Sequence, residues 1–224
     1  MRAYFQAVGA VIWKDFRAEW RSRENLSAML VFALLVILIF NFALELDLQA
    51  KASLSAGVLW TTFIFAGTIG LNRSLAVEKD RGCLDGLLLA PVDRSVIYFG
   101  KAIGNLVFML LVEAIVLPVF SFLYGFPVFH PGFLMVIVLG SIGYAAVGTL
   151  LSTMVVQART RDILLPILLF PLTLPVIIAA VKASQGFFQG LPLAELSVWV
   201  NILVAYDVIF LAVAFMVFDY VLEE

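Results

Sequence analysis

Residues 71–104 read LNRSLAVEKDRGCLDGLLLAPVDRSVIYFGKAIG, the longest polar interval in a chain otherwise made of apolar runs. Five of the 14 basic residues fall in it (Arg73, Lys79, Arg81, Arg94, Lys101), with four acids (Glu78, Asp80, Asp85, Asp93). Leu84, Leu87 and Leu88 stand at i, i+3, i+4, the spacing of one helix face, and Ala90-Pro91 closes the piece. Asp93 is placed to cap a following helix whose first turns carry Val96, Ile97 and Phe99. A charged segment with a small apolar ridge, set between two apolar runs, has the form of a docking handle for a soluble partner.

The runs on either side decide the fold class. At 63% hydrophobic residues the chain lies far above the roughly 45–50% of soluble domains. Six apolar runs cover residues 27–44, 52–71, 101–124, 131–155, 163–181 and 197–218. A helix needs about 20 residues to cross about 30 Å of hydrocarbon, and continuous runs without alternation exclude barrel strands. The expected fold is all-α: a polytopic membrane protein with six transmembrane helices and an N-terminal amphipathic interfacial helix over 1–26. In that helix Phe5, Ile12 and Phe16 share a face with Trp13 and Trp20, while Lys14, Arg17 and Arg21 are expected to face away. No short apolar core with an A-x-A site precedes the first run, so no cleavable signal is expected. Residues 27–224 form one transmembrane domain, with 72–100 as its polar coupling segment.

Net charge, −2, hides a strong segregation. The N-terminal segment holds five Lys or Arg, the 72–101 interval five and the 156–162 loop two (Arg159, Arg161), against Lys51 and Lys182 on the other side. That asymmetry is expected to place both termini in the cytoplasm. One Cys and one His exclude a disulfide framework, a multi-ligand zinc site and a CxxCH heme attachment site, and no metal or nucleic-acid partner is expected.

Several positions inside the apolar runs are chemically distinctive. Gly100 and Gly104, and the stripe Ser141, Ala145 and Thr149, allow helices to approach closely. Pro166, Pro171 and Pro175 each remove a backbone donor from the fifth run, which is expected to kink or partly unwind. Glu113 and Asp207 lie within runs, where carboxylates are either functional or fixed by hydrogen bonds; Asp207 is expected to pair with neighbouring helices beside Asn201 and Tyr206. His130, in a short outer loop, offers one imidazole as a heme contact.

The chain has no phosphate loop, no dinucleotide fingerprint, no HExxH and no GxSxG, so an enzyme is not expected and any motor must be another polypeptide. The segment Glu78-Lys79-Asp80-Arg81-Gly82-Cys83-Leu84-Asp85-Gly86-Leu87-Leu88-Leu89-Ala90-Pro91, followed by Gly100-Lys101, resembles the segment after the second span of type-2 ABC exporter permeases. With the proline-rich fifth run and the compact six-span plan, it is similar to the cytochrome c maturation protein B family. Cys83-Leu84-Asp85 departs from the Thr or Ser, Leu and Glu of many relatives but keeps the charge. The resemblance implies a permease subunit of a heme export or heme-chaperone release complex in a bacterial inner membrane. Such a subunit works as a homodimer in membrane lipid, with a separate ABC ATPase that binds ATP. It joins heme-handling membrane proteins and a heme chaperone, with heme as cargo and no cofactor of its own. It also implies that Glu78, Lys79, Asp80, Arg81, Gly82, Leu84, Asp85, Leu87, Leu88 and Pro91 form the ATPase-docking segment. A permease for a lipid or drug, and a non-transporting scaffold, are the alternatives.

Overall fold

The protein is described from a computed structural model, for residues 2–43, 48–80, 82, 86 and 93–221. Among these residues seven helices follow in order: α1 (Arg2–Ser22), α2 (Glu24–Ala43), α3 (Leu48–Asp80), α4 (Arg94–Tyr124), α5 (Pro131–Val155), α6 (Arg161–Phe188) and α7 (Ser197–Val221). Among the described residues there is no strand, and α2–α7 are the helices long and apolar enough to cross a membrane.

Local chemistry sets their ends. The Asp93 side chain accepts from the Ser95 N–H at 3.1 Å, the N-cap expected for α4. His130 does the same for α5, its Nδ1 accepting from the Gly132 N–H at 3.2 Å with Pro131 opening the helix. Gly125, at φ +77°, ends α4 in the left-handed conformation that only glycine adopts without penalty. Arg23 takes a left-handed φ of +54° without being glycine, and there the chain turns from α1 into α2. Glu19 Oε1 accepts from the Leu26 N–H at 2.8 Å and caps that new helix.

Helix α5 is the centre of the bundle and packs against α3, α4, α6 and α7. Its glycines make this possible: a Cβ on Gly140 would fall 2.2 Å from the Trp60 ring, one on Gly143 2.5 Å from Asp207 Oδ1, and one on Gly148 2.3 Å from Leu71. The small-residue stripe faces α4. Ser141 Oγ donates to Glu113 Oε1 at 2.7 Å and Asn105 Nδ2 donates to Thr149 Oγ1 at 3.0 Å. Trp60 Nε1 donates to Ser184 Oγ at 2.9 Å, and the Tyr144 hydroxyl donates to the Ile64 carbonyl at 2.8 Å. Each such bond contributes about 0.6 kcal/mol between membrane helices, so they fix rotation more than they supply stability.

Three expectations are corrected here. Helix α3 continues past the second apolar run to Asp80 and α6 past the fifth to Phe188, whereas α4 starts at Arg94, directly after the Asp93 cap expected for it. Helical hydrogen bonding does not stop where apolar composition stops. Helix α6 also passes unbroken through Pro166, Pro171 and Pro175, so of the kink or partial unwinding expected there the unwinding is absent. Packing against α3, α5 and α7 holds it, and the Tyr206 hydroxyl of α7 donates to the Leu172 carbonyl at 2.9 Å between two of the prolines. The stripe that α1 lays on its neighbours is Val8, Val11 and Asp15 (i, i+3, i+7), not the Phe5, Ile12 and Phe16 face, so Lys14, still 44% exposed, reaches Asp15 and Glu78 instead of pointing only outward with Arg17 and Arg21. Phe5, Trp13 and Trp20 stay exposed on the other side.

Candidate functional site

One end of the bundle gathers the charges. Lys101, on the first turns of α4, is only 2% exposed. Its Nζ lies 2.8 Å from Asp15 Oδ2 on α1 and 2.8 Å from Glu78 Oε1 on α3. Lys14 completes the knot: its Nζ is 3.2 Å from Asp15 Oδ1 and also pairs with Glu78. Two cations thus face two anions where α1, α3 and α4 meet, and no charge is left uncompensated. Burial works against the Lys14 ammonium, but the hydrogen bond to Glu78 and the fields of Asp15 and Glu78 prevail and hold its pKa above the ordinary value.

Gly100 is what lets α1 come this close. A Cβ there would meet Val11 at 2.7 Å, whereas one on Gly104 would sit an ordinary 3.6 Å from Asp15 Oδ2. The glycine pair therefore receives the surface helix and not another span. Tyr4 Oη and Ser95 Oγ, 3.0 Å apart, join the same two helices one turn further out.

The next two residues of α3 reach different partners. Lys79 Nζ donates to the Val156 carbonyl at 2.9 Å, just past the end of α5. Asp80 accepts from both Nη atoms of Arg161, at 2.9 and 3.2 Å, at the start of α6. Arg73, a little earlier on α3, pairs with Glu24 at the start of α2. Gly82 follows at φ +66°, its N–H donating to the Lys79 carbonyl at 2.9 Å. Three consecutive residues, Glu78, Lys79 and Asp80, are thus fastened to α1 and α4, to the end of α5, and to the start of α6. Arg81, Leu84, Asp85, Leu87, Leu88 and Pro91 lie outside the described residues.

The other singled-out residues are dispersed. Glu113 is 1% exposed, with Oε1 on Ser141 and Oε2 without a partner. Asp207 does not make the pairing expected beside Asn201 and Tyr206. Its carboxylate presses on Gly143 with neither oxygen hydrogen-bonded, while Tyr206 reaches Leu172 instead. Ser141 and Gly143 are two positions apart, so the two acids flank α5 on nearly opposite sides at one level. His130 sits at the opposite end of the bundle, its ring 5.4 Å from that of Phe187. Among the described residues no group of three or more His, Cys, Asp or Glu is arranged to hold a metal.

Sequence reasoning missed Asp15 and Asn25. The i, i+3, i+7 relation of Asp15 to Val8 and Val11 was the available signal, since it puts a carboxylate on an apolar stripe that must then find a cation.

Comparison with known proteins gives relatives that span nearly all of the chain. The sequence is 26% identical over 193 residues to the Heme exporter protein B of Pseudomonas aeruginosa, covering 86% of each chain. It is 26% identical over 195 residues to the protein of the same name from Rhodobacter capsulatus, covering 84% of this chain and 88% of that one. A third of that name, from Bradyrhizobium diazoefficiens, is 24% identical over 185 residues, 82% and 83% of the two chains. The family model described as CcmB protein matches residues 6–223, the whole charged knot included, and the chain belongs to the CcmB family.

Proposed function

We propose that this protein is the membrane permease subunit of an ABC-type heme export or heme-chaperone release complex serving cytochrome c maturation. The observation that carries the reading is the family match across residues 6–223. The geometry supports it. A permease driven from outside needs a segment that takes up a push and passes it to several spans at once. Glu78, Lys79 and Asp80 are tied to α1, α4, α5 and α6 at the root of the charged segment. A separate ABC ATPase docks on that segment through Leu84, Leu87 and Leu88, two copies of the permease assemble with two ATPases, and the basic end faces the cytoplasm. Heme is handled as cargo.

Affinity purification from native membranes tests this. An ABC ATPase and a heme-containing membrane protein are expected to copurify. Leu87→Asp or Leu88→Asp should remove the ATPase and abolish holocytochrome c formation at normal membrane levels of the chain. Normal c-type cytochrome formation in cells lacking the protein would overturn the reading.

A further inference from the structure

The side of α1 turned away from the bundle has a pattern of its own. An open groove of about 850 Å³ runs along it, lined by Ile12, Trp13, Phe16, Arg17, Trp20 and Arg21. At about 100° per residue, these side chains come round the helix in the order Ile12, Phe16, Trp20, Trp13, Arg17, Arg21. Apolar, then indole, then guanidinium is the order met on leaving a bilayer, from acyl chains through the interface to the headgroups. The apolar edge is continuous with the spans, for the Phe16 ring lies 5.1 Å from that of Phe108 on α4.

The other edge carries charge without compensation. Arg17 and Arg21, at i and i+4, are exposed and have no acidic partner among the described residues. The nearby acids of α1 are engaged elsewhere, Asp15 with Lys14 and Lys101 and Glu19 with the Leu26 N–H. Arg17 stacks on the Trp13 ring, its Cζ 4.9 Å from the centroid. Stacking occupies the face of a guanidinium and leaves its in-plane N–H donors free, already oriented for an anion. A helix at a membrane surface needs only an apolar edge; two uncompensated guanidinium groups beside that edge add a demand on the charge of the lipid.

We propose that the outward groove of α1 is a binding site for a phospholipid of net negative charge, of the phosphatidylglycerol class. Arg17 and Arg21 donate to its phosphate, and its acyl chains lie along Trp13, Trp20 and Phe16. A choline or ethanolamine headgroup has the same phosphate but brings an ammonium, for which the groove holds no carboxylate. A soluble anion would meet the arginines and leave the apolar edge uncovered. The site is built by α1 alone and does not depend on the cargo or on the ATPase.

The test reads Trp13 and Trp20, the exposed indoles of the groove. Full-length protein in phosphatidylcholine nanodiscs is titrated with brominated phosphatidylglycerol, phosphatidylethanolamine or phosphatidylcholine of matched acyl chains, whose bromine quenches the indoles it touches. Phosphatidylglycerol should be favoured over either zwitterionic lipid by about 25-fold, about fivefold for each arginine. Arg17→Gln and Arg21→Gln should each lower the preference about fivefold, and the double variant should abolish it. These variants keep every contact of the knot, so their melting temperatures should match that of the unaltered protein. Arg159→Gln, which removes an exposed arginine outside the groove, should leave the preference unchanged. Replacing Trp13 and Trp20 together by Phe should remove the lipid-dependent quenching. Equal quenching by the three lipids in the unaltered protein overturns the proposal. So does a preference that survives the double arginine variant or falls as far with Arg159→Gln, or quenching that persists without Trp13 and Trp20. Displacement of the lipid by excess inorganic phosphate overturns the assignment to a lipid.

Discussion

Lys101 shows how much of the basic end rests on single side chains. It is buried against Asp15 and Glu78, and its removal leaves two carboxylates to share Lys14 alone. Breaking a buried pair from one side costs about 3–5 kcal/mol, whereas replacing all partners by neutral groups of similar size is often close to neutral. Lys101→Met should therefore lower the melting temperature of the detergent-solubilised protein sharply. Adding Asp15→Asn and Glu78→Gln to it should restore much of the loss, and a triple variant as unstable as the single one would count against a charge-based knot. Lys14 gives a pH signature. Its folded pKa is raised above the ordinary 10.5, so its contribution is fully present below that pH and is lost as pH climbs through the higher folded value. Tryptophan fluorescence, reporting Trp13 and Trp20 on α1, should stay constant to about pH 10.5 and change above it.

Among the helices, α1 is the one whose placement depends most on a single contact distance. Gly100→Ala sets a methyl 2.7 Å from Val11, and the branch of Val11 sits on its backbone and cannot swing aside. Overpacking of this kind costs about 1–3 kcal/mol. The expected result is α1 lifted from α4, seen as faster proteolysis at Arg17 or Arg21 with the melting of α2–α7 little changed. Gly57→Ala, with nothing within 4 Å of the new methyl, should be neutral or stabilise α3 by up to about 1 kcal/mol. The existence of the helices was legible in the sequence because six long apolar runs admit few other structures, and Asp93 announced its own cap by type and position. The partners of Lys101 were not legible. Asp15, Glu78 and Lys101 lie far apart in sequence and meet because α1 folds back along α4, which periodicity within one segment does not encode. The extension of α3 to Asp80 was hidden for a related reason, since its last turns are polar and held by contacts to Val156 and Arg161.

For the whole molecule, the ends of the helices sort as the charges do. The α1 knot, the Arg73–Glu24 pair and the Asp80–Arg161 pair share one end, while Phe126, His130, Phe187 and Phe188 cluster at the other. With Cys83 replaced by Ser, a cysteine at Gln189 should react with a membrane-impermeant thiol reagent applied outside intact cells, and one at Arg159 should not. Reaction at Arg159 alone would invert the orientation. The docking of α1 on α4 also bears on how the protein is made. Helix α1 leaves the ribosome before the other described helices, yet its seat at Gly100 and Lys101 is translated more than seventy residues after α1 ends. At roughly 5–20 residues per second that is a wait of about 4–16 s. Until Glu78 and then Lys101 are made, the nascent Lys14 and Asp15 lack these partners, and the exposed Phe5, Trp13 and Trp20 are what remain to hold α1 at a membrane surface. Although made before the other described helices, α1 thus finds its seat only after α3 and the start of α4 have followed it, and the knot that seats it records that the second span has been made and the third begun.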